Sequence, residues 1–372
     1  MIGFKNLLCV FLLMLMFVSN LSYGQKDILQ EQALTEMFRC VVYLQETKVQ
    51  TFKKDGKEYE RWLKDVNNNE FSAQTYPITG TGFFASDDEG SFYLVTAQHV
   101  AKDLTINATV TIQSKYDKPI TYSIKDLVGE TDALKWTTHG SADVAVLLID
   151  LNSKIFDIPM LSALPPHVIL DSLQAPKRQK ELTIVGFPLG LGIGKKFSPI
   201  SKKLSPSSGL FEGINPNNNL NVFYFLLDDP SVAGFSGSPV YDLVILPQQE
   251  GESEIGVLRC VGLVQGTISD KIAGFAAIVP SVYISRTIAK APKYSGVVVY
   301  YHDNGKIWSE LLFKNGKEWK VISNYDSNGK PMEKGTLNNG NGTRYEYDKE
   351  GELVFIQHYE SGKLVKTVKQ EN

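Results

Sequence analysis

Three short stretches hold side chains able to pass a proton: Thr96-Ala97-Gln98-His99, Asp143-Val144-Ala145-Val146-Leu147 and Gly234-Phe235-Ser236-Gly237-Ser238-Pro239. A serine hydroxyl is a weak nucleophile until a neighbouring base takes its proton. A neutral imidazole acts as that base only when an acceptor holds its other ring N–H. His99 follows an apolar, strand-like run, and Asp143 opens a fully apolar one, so its carboxylate is expected to be partly buried. Burying that charge is costly unless it is hydrogen-bonded, and His99 would supply the bond. Ser236 stands between small residues. A tight turn there lets the amide N–H groups of Gly234 and Ser236 converge on one point, as a developing oxyanion requires, and glycine tolerates the positive φ of such a turn. Taken singly, each stretch also has a plain reading: a packed histidine, a strand-start aspartate, loop punctuation. Of the other histidines, His139 lies near enough to Asp143 to compete for it. His167 falls in a connector, and His302 and His358 fall in the C-terminal repeats.

The elements that must position these residues are short strands. A run around residues 28–40 suggests a short helix leading into a strand over Cys40–Leu44, and the charged, Asn-rich stretch over 53–74 suits a hairpin or exposed loop. β-like runs follow: "GTGFFAS", "SFYLVTA", "ATVTIQS" and "DVAVLLID", the first two joined at Gly90. The proline-containing segment 162–179 reads as a connector. Then come "ELTIVGF", "NVFYFLLD", "PVYDLVIL", "VLRCVGLVQG" and "AGFAAIV", with "PSVYISRTIAKA" as a closing amphipathic helix. Many short strands without long helical periodicity predict an all-β fold of barrels or sandwiches. From about residue 297 the texture changes. Tyr301, Phe313, Tyr325, Leu337, Tyr347 and Tyr359 each precede an Asn-Gly, Glu-Gly or Ser-Gly turn, at intervals of twelve residues with one of ten. Asn-Gly between β-formers is a hairpin signal, and hairpins recurring every two dozen residues are expected to stack and bury the aromatic stripe.

The three chemical stretches together resemble the chymotrypsin/trypsin-like serine peptidase family, in its bacterial type, through "TA-x-H", "D-[IV]-A-[LV]-L" and "G-x-S-G-x-P". The flanking "GTGFF" and "VGLVQG" add to the likeness, which covers roughly residues 35–292. It implies two six-stranded β barrels, about 35–160 and 176–280, with a His99–Asp143–Ser236 triad in the cleft. It further implies an oxyanion hole from the Gly234 and Ser236 amides and a substrate pocket near Pro230, Gln265, Gly266 and Thr267. Phe235 stands where digestive members carry an aspartate used in zymogen activation, so that switch is expected to be absent. Pro230 stands where trypsin carries its specificity aspartate, so basic P1 residues are not indicated, although Asp228 and Asp229 lie nearby. The repeats over 297–368 resemble the MORN type through their "Y-x-x-N-G-K" texture. No PDZ-like segment follows the barrels.

Bulk properties bound the rest. A net charge of −3 offers no basic footprint for nucleic acid. Lys5, an apolar run from Leu7 to Val18 and small residues near Gly24 mark a secretory signal over 1–24, the run being short for a membrane span. The mature domain is then expected over 25–292, in an exported, periplasmic or secreted protein. Cys9 falls in the leader, and Cys40 and Cys260 are left either to pair or to sit as separate buried thiols. No Cys/His spacing suggests a metal, and no cofactor is called for. The expected activity is that of a serine endopeptidase on protein or peptide substrates. The competing reading is an inactive protease-like scaffold that binds, with the repeats as its working surface toward envelope, membrane surface or a protein partner.

Overall fold

The computed structural model describes residues 35, 37–64, 71–114, 117–129, 134–158, 161–216, 218–246, 255–269, 274–348 and 350–370. The leader expected over 1–24 lies outside them. The chain enters its first sheet through β1 (Val41–Val49), passes two exposed ladders, β2 (Thr51–Lys54) with β3 (Lys57–Glu60) and β4 (Trp62–Lys64) with β5 (Phe71–Ala73), and returns along β1 as β6 (Thr75–Ser86). Then follow β7 (Phe92–Thr96), the one-turn helix α1 (Gln98–Ala101), β8 (Thr109–Gln113), β9 (Pro119–Ser123), helix α2 (Ile124–Val128), β10 (Thr137–Thr138) and β11 (Ala145–Leu148). Their order in the sheet is β10-β11-β7-β6-β1-β8-β9. Phe83, Phe84, Tyr93, Leu94 and Val95 are all buried. Strands β6 and β7 are apolar on both faces here because both faces are covered: Phe92, for instance, meets Phe84 on one neighbour and Phe156 beyond the sheet.

The second sheet takes β12 (Leu182–Gly186), β13 (Ile200–Leu204), β14 (Phe211–Ile214), β15 (Asn221–Leu227), β16 (Pro239–Leu246), β17 (Ile255–Ser269) and β18 (Gly274–Pro280), in the order β13-β12-β16-β17-β18-β15-β14. Helix α3 (Val282–Lys290) follows and buries Val282, Tyr283, Ile284, Thr287 and Ile288. One apolar cluster runs through both sheets, joining Val41, Val95 and Val146 to Val185, Tyr241 and Leu263. Cys40, on a helical turn rather than in the strand expected for it, and Cys260 of β17 are both buried and form no disulfide with one another. The Cys40 thiol lies 3.2 Å from the Tyr241 hydroxyl, and burial pushes the Cys260 thiol up to about 12.

The class is all-β, but two six-stranded closed barrels are not what the chain builds. Each sheet has seven strands, and among the described residues no ladder joins its first strand to its last. In the first sheet β9 stops at Ser123, which caps α2: Ser123 Oγ accepts the Asp126 N–H, and the Asp126 carboxylate accepts the Ser123 N–H at 2.9 Å. That reciprocal cap turns the chain out of the sheet. In the second sheet the segment after β13 meets the end of β15 at one bridge, Pro206 to Leu227, made by Ser207 N–H to Leu226 O at 2.8 Å and Asp228 N–H to Ser205 O at 3.0 Å. Four strands of the two sheets escape sequence reading, β9, β10, β13 and β14, because "PITYS", "TT", "ISKKL" and "FEGI" are short and wholly or partly polar.

The C-terminal region forms two three-stranded sheets, β19 (Gly296–Tyr301), β20 (Ile307–Lys314) and β21 (Lys317–Asn324), then β22 (Gly342–Tyr347), β23 (Leu353–Glu360) and β24 (Lys363–Lys369). The turns alternate in kind. Asn315-Gly316, Asn339-Gly340 and Ser361-Gly362 have positive φ at both residues, whereas Gly305, Gly329 and Gly351 are positive after a residue that is not. The wider turns are braced by Asp326 and Asp348, whose carboxylates accept backbone N–H groups two and four residues on. Two turn types in alternation make the structural unit two twelve-residue steps, the hairpin. Leu311, Val321, Leu337 and Tyr359 form its core.

This region is clasped to the first sheet. Asp87 accepts the Tyr93 hydroxyl at 2.9 Å and the Lys293 ammonium at 2.7 Å, as well as the Glu89 and Ser91 N–H groups. Asn152 bonds both ways with β19, donating to Val297 O and accepting from Val299 N.

Candidate active site

Register brings the first two residues together. Ala145 of β11 pairs with Thr96 of β7, so Asp143 and His99, just beyond that pair on antiparallel neighbours, emerge side by side. Asp143 is fully buried. Its Oδ2 lies 2.6 Å from His99 Nδ1 and its Oδ1 accepts the His99 backbone N–H at 2.9 Å. Both oxygens therefore address one residue, fixing the imidazole's position and, with Nδ1 as donor, leaving Nε2 as the free basic nitrogen. The His99 side chain is 31% exposed, enough for a reacting group to reach that nitrogen.

Ser236 arrives from the second sheet, on the loop between β15 and β16, and is fastened to the first. Thr81 of β6 is the fastener: its N–H donates to Ser236 O at 2.9 Å and its hydroxyl to Gly234 O at 2.7 Å, while accepting Phe187 N–H at 3.0 Å. Thr96, three residues before His99, donates its hydroxyl to Thr81 O at 2.7 Å. Gly237 sits so close to this pair that a Cβ would overlap the Thr81 carbonyl and the Thr96 hydroxyl, and its φ is +87°. The serine turn is thus pressed against the two strands that carry the histidine. Gly234 has φ +98° and touches the backbone of Phe187 and Leu189 in the same way. Among the described residues the N–H groups of Gly234 and Ser236 have no acceptor, while those of Phe235, Gly237 and Ser238 bond to Val232, Val264 and Phe235 carbonyls. Two unengaged amides flanking the hydroxyl can take up negative charge. The Ser236 hydroxyl itself donates to Gln265 O at 3.1 Å.

The residues expected to contact substrate border the same loop. Thr267 of β17 donates its hydroxyl to Ser231 O at 2.7 Å, next to Pro230. A bulge between Val264 and Gly266 turns the Gln265 carbonyl toward Ser236, and Gly266 faces open space. The neighbouring carboxylates are engaged elsewhere: Asp228 accepts Ser205 N–H at 3.0 Å, and Asp229 pairs with Lys202, which also donates to Pro230 O. Phe235 is buried in the second core, seating the turn by apolar contact where a carboxylate would need a partner. Residues missed by sequence reading complete the surroundings. Thr81 is one, a polar residue in an apolar strand between two glycines. Tyr224 is another: burial pushes its phenol up to about 12, the Gln265 amide pulls it back and the Asp143 charge raises it again, so it stays a neutral group near the buried carboxylate. Among the described residues no cluster of three His, Cys, Asp or Glu could hold a metal ion, and no helix is long and apolar enough to cross a membrane.

The family model described as "Trypsin-like peptidase domain" matches residues 80–244, which span His99, Asp143 and Ser236. The chain carries a trypsin-like peptidase domain. A second model, "MORN repeat variant", matches residues 294–315, over β19 and β20. A search of curated proteins returned no match. Among solved structures, the HtrA-type protease AlgW with a decapeptide is similar at 16% identity and TM-score 0.41, covering 77% of this chain and 78% of that one. A serine-to-alanine mutant of Rv3671c from M. tuberculosis H37Rv, in its inactive form, gives 16% and 0.39, covering 74% and 95%. Human heparin binding protein gives 9% and 0.37, covering 69% and 92%.

Proposed function

We propose that the peptidase domain is an active serine endopeptidase. The observation that carries this reading is the pairing of a fully buried Asp143 with both the ring and the backbone of His99, on strands to which the Ser236 turn is fastened. Ser236 Oγ leaves the Gln265 carbonyl and attacks the scissile carbonyl carbon as its proton passes to His99 Nε2. The tetrahedral oxyanion is held by the Gly234 and Ser236 N–H groups. Collapse breaks the C–N bond, and the imidazolium returns its proton to the leaving amine. Water then repeats the sequence on the acyl-enzyme, with His99 as base and Ser236 as leaving group. Asp143 holds the tautomer and stabilises the imidazolium. With Asp228 and Asp229 engaged by Ser205 and Lys202, the pocket has no unpaired carboxylate from this pair for a basic P1 side chain. Ser236→Ala in the full chain is expected to abolish both peptide hydrolysis and labelling by a fluorophosphonate; hydrolysis that persists in this variant rules the reading out.

One observation favours a second reading. The Ser236 hydroxyl is bonded to a main-chain carbonyl, the resting state of a scaffold that binds peptides without cutting them. Wild-type protein that captures peptides yet resists fluorophosphonate would select it. We place the protein outside the cytoplasm on the strength of residues 1–24. Mass spectrometry of the envelope and culture fluid should find chains beginning after Gly24, and intact chains confined to the cytoplasm would refute that placement.

A further inference from the structure

The turn that delivers Asp143 joins β10 to β11: the His139 N–H carries their ladder one step further, to Val144 O at 3.0 Å, the Val144 N–H bonds Ala142 O at 2.9 Å, and side chains hold the rest. His139 is at its centre. Its Nδ1 accepts the Ala142 N–H at 3.0 Å and the Ser141 N–H at 3.3 Å, with the Ser141 hydroxyl at 3.4 Å. An imidazole nitrogen offers one lone pair, so the Ala142 bond is the strong one and the others share what remains. That geometry requires an unprotonated Nδ1. From the second sheet, buried Asn215 donates to Ser141 O at 2.7 Å, and Asn218 donates to Gly140 O at 3.0 Å. Three side chains thus fix both sides of the four residues from His139 to Ala142, and the next residue is Asp143.

The groups facing His139 are all known. Tyr283 of α3 meets the ring edge-on at 4.8 Å. Arg286 and Lys290 of the same helix bring positive charge, and no acid faces the ring from α3. The β14–β15 turn offers the neutral amides of Asn215 and Asn218, and β10 and β11 offer uncharged residues. On its own turn the nearest ionisable group is Asp143. Burial first, then the Lys290 and Arg286 charges, hold the imidazole below its ordinary range.

We propose that His139 is a positioning residue for the active site: as a neutral acceptor it locks the turn that presents the Asp143 carboxylate to His99. The inference rests on reading His99, Asp143 and Ser236 as the reacting set. Its consequence is that two histidines, not one, must be unprotonated for turnover. Protonating His99 removes the base. Protonating His139 places an N–H against the Ala142 N–H and opens the turn, moving Asp143 away from the ring. Because misplacement by about 1 Å can cost roughly 100-fold in rate, the effect belongs to kcat and to nucleophile reactivity rather than to substrate binding.

Fluorophosphonate labelling of Ser236 measures this without knowledge of the natural substrate. Toward acid pH, the logarithm of the wild-type labelling rate should fall with a slope steeper by up to one than in His139→Asn, the extra proton being that of His139. In His139→Asn the side-chain oxygen still accepts the turn's N–H groups but cannot titrate. That variant should restore most of the neutral-pH rate lost in His139→Ala, with the shallower acid slope. His139→Ala should label about 10- to 100-fold more slowly, while its KM on fluorescein-casein stays within about twofold, as expected when only transition-state interactions are lost. Should His139→Ala fail to fold, the slope comparison decides alone. Equal slopes in wild type and His139→Asn, or a wild-type rate in His139→Ala, overturn the proposal and leave the peptidase reading intact. If wild-type protein shows no Ser236-dependent labelling, that reading fails instead. Amide exchange at Ser141 and Ala142 then decides the turn lock: protection lost on acidification in wild type but kept in His139→Asn sustains it, and equal behaviour rejects it.

Discussion

Asp143 directs both carboxylate oxygens at a single histidine, one to the ring and one to the main chain. Replacing it with asparagine keeps the shape but offers an N–H where the ring needs an acceptor, so the imidazole is forced toward the tautomer whose proton blocks Nε2. D143N is therefore expected to lower kcat by about 10³- to 10⁴-fold with little change in KM, the scale known for such a tautomer error. Loss of less than about tenfold, measured on fluorescein-casein at pH 8, would mean that the Asp143–His99 contact does not operate in turnover.

At the scale of elements, the site depends on how a turn from one sheet is seated on strands of the other. Thr81 does most of this, with one hydroxyl bonded to both Gly234 O and Phe187 N and one N–H bonded to Ser236 O. T81V fills the same volume without the hydroxyl and leaves a buried carbonyl and a buried N–H unpaired, at a cost of about 1–3 kcal/mol. The urea midpoint should fall and Ser236 labelling should slow, whereas T81S should recover both. A T81V protein as stable and reactive as wild type would show that apolar packing alone seats the turn. The first sheet stays open for an equally local reason, the reciprocal helix cap at Ser123.

Across the whole molecule, the repeats do not hang from the peptidase domain as a loose tail. The clasp at Asp87 joins a buried carboxylate to Lys293, Tyr93 and two backbone N–H groups, and Asn152 pins β19 beside it. Removing one member of such a buried set costs more than an exposed ion pair could return. D87N should lower the melting temperature and open the segment between α3 and β19 to limited proteolysis. Repeats that remain protected to the same temperature would place the holding force elsewhere, in the Tyr294 and Asn152 contacts. A rigid clasp also fixes where any surface of the repeats lies relative to the cleft, which is the property that recruitment of substrate by the repeats would need.

Much of this was open to a reader of the sequence. The apolar runs foretell most strands, the Asn-Gly turns foretell the repeat period, and the residue types at 99, 143 and 236 name a chemistry before any contact is known. These are short-range properties, written in neighbours and in the conformational freedom of glycine. What the tertiary structure alone decided involves residues far apart along the chain. His99 meets Asp143 across 44 positions and Thr81 meets Gly234 across 153. Thr81, Asn215 and Tyr224 carry no local signal, since a threonine in a strand or an asparagine in a turn looks the same whether or not it braces a distant loop. His139 reads in sequence as a competitor for Asp143, whereas the folded turn points its nitrogen at backbone N–H groups. Local preference fixes which conformations a segment can take, but the register between sheets, a matter of long-range packing, selects which groups finally touch.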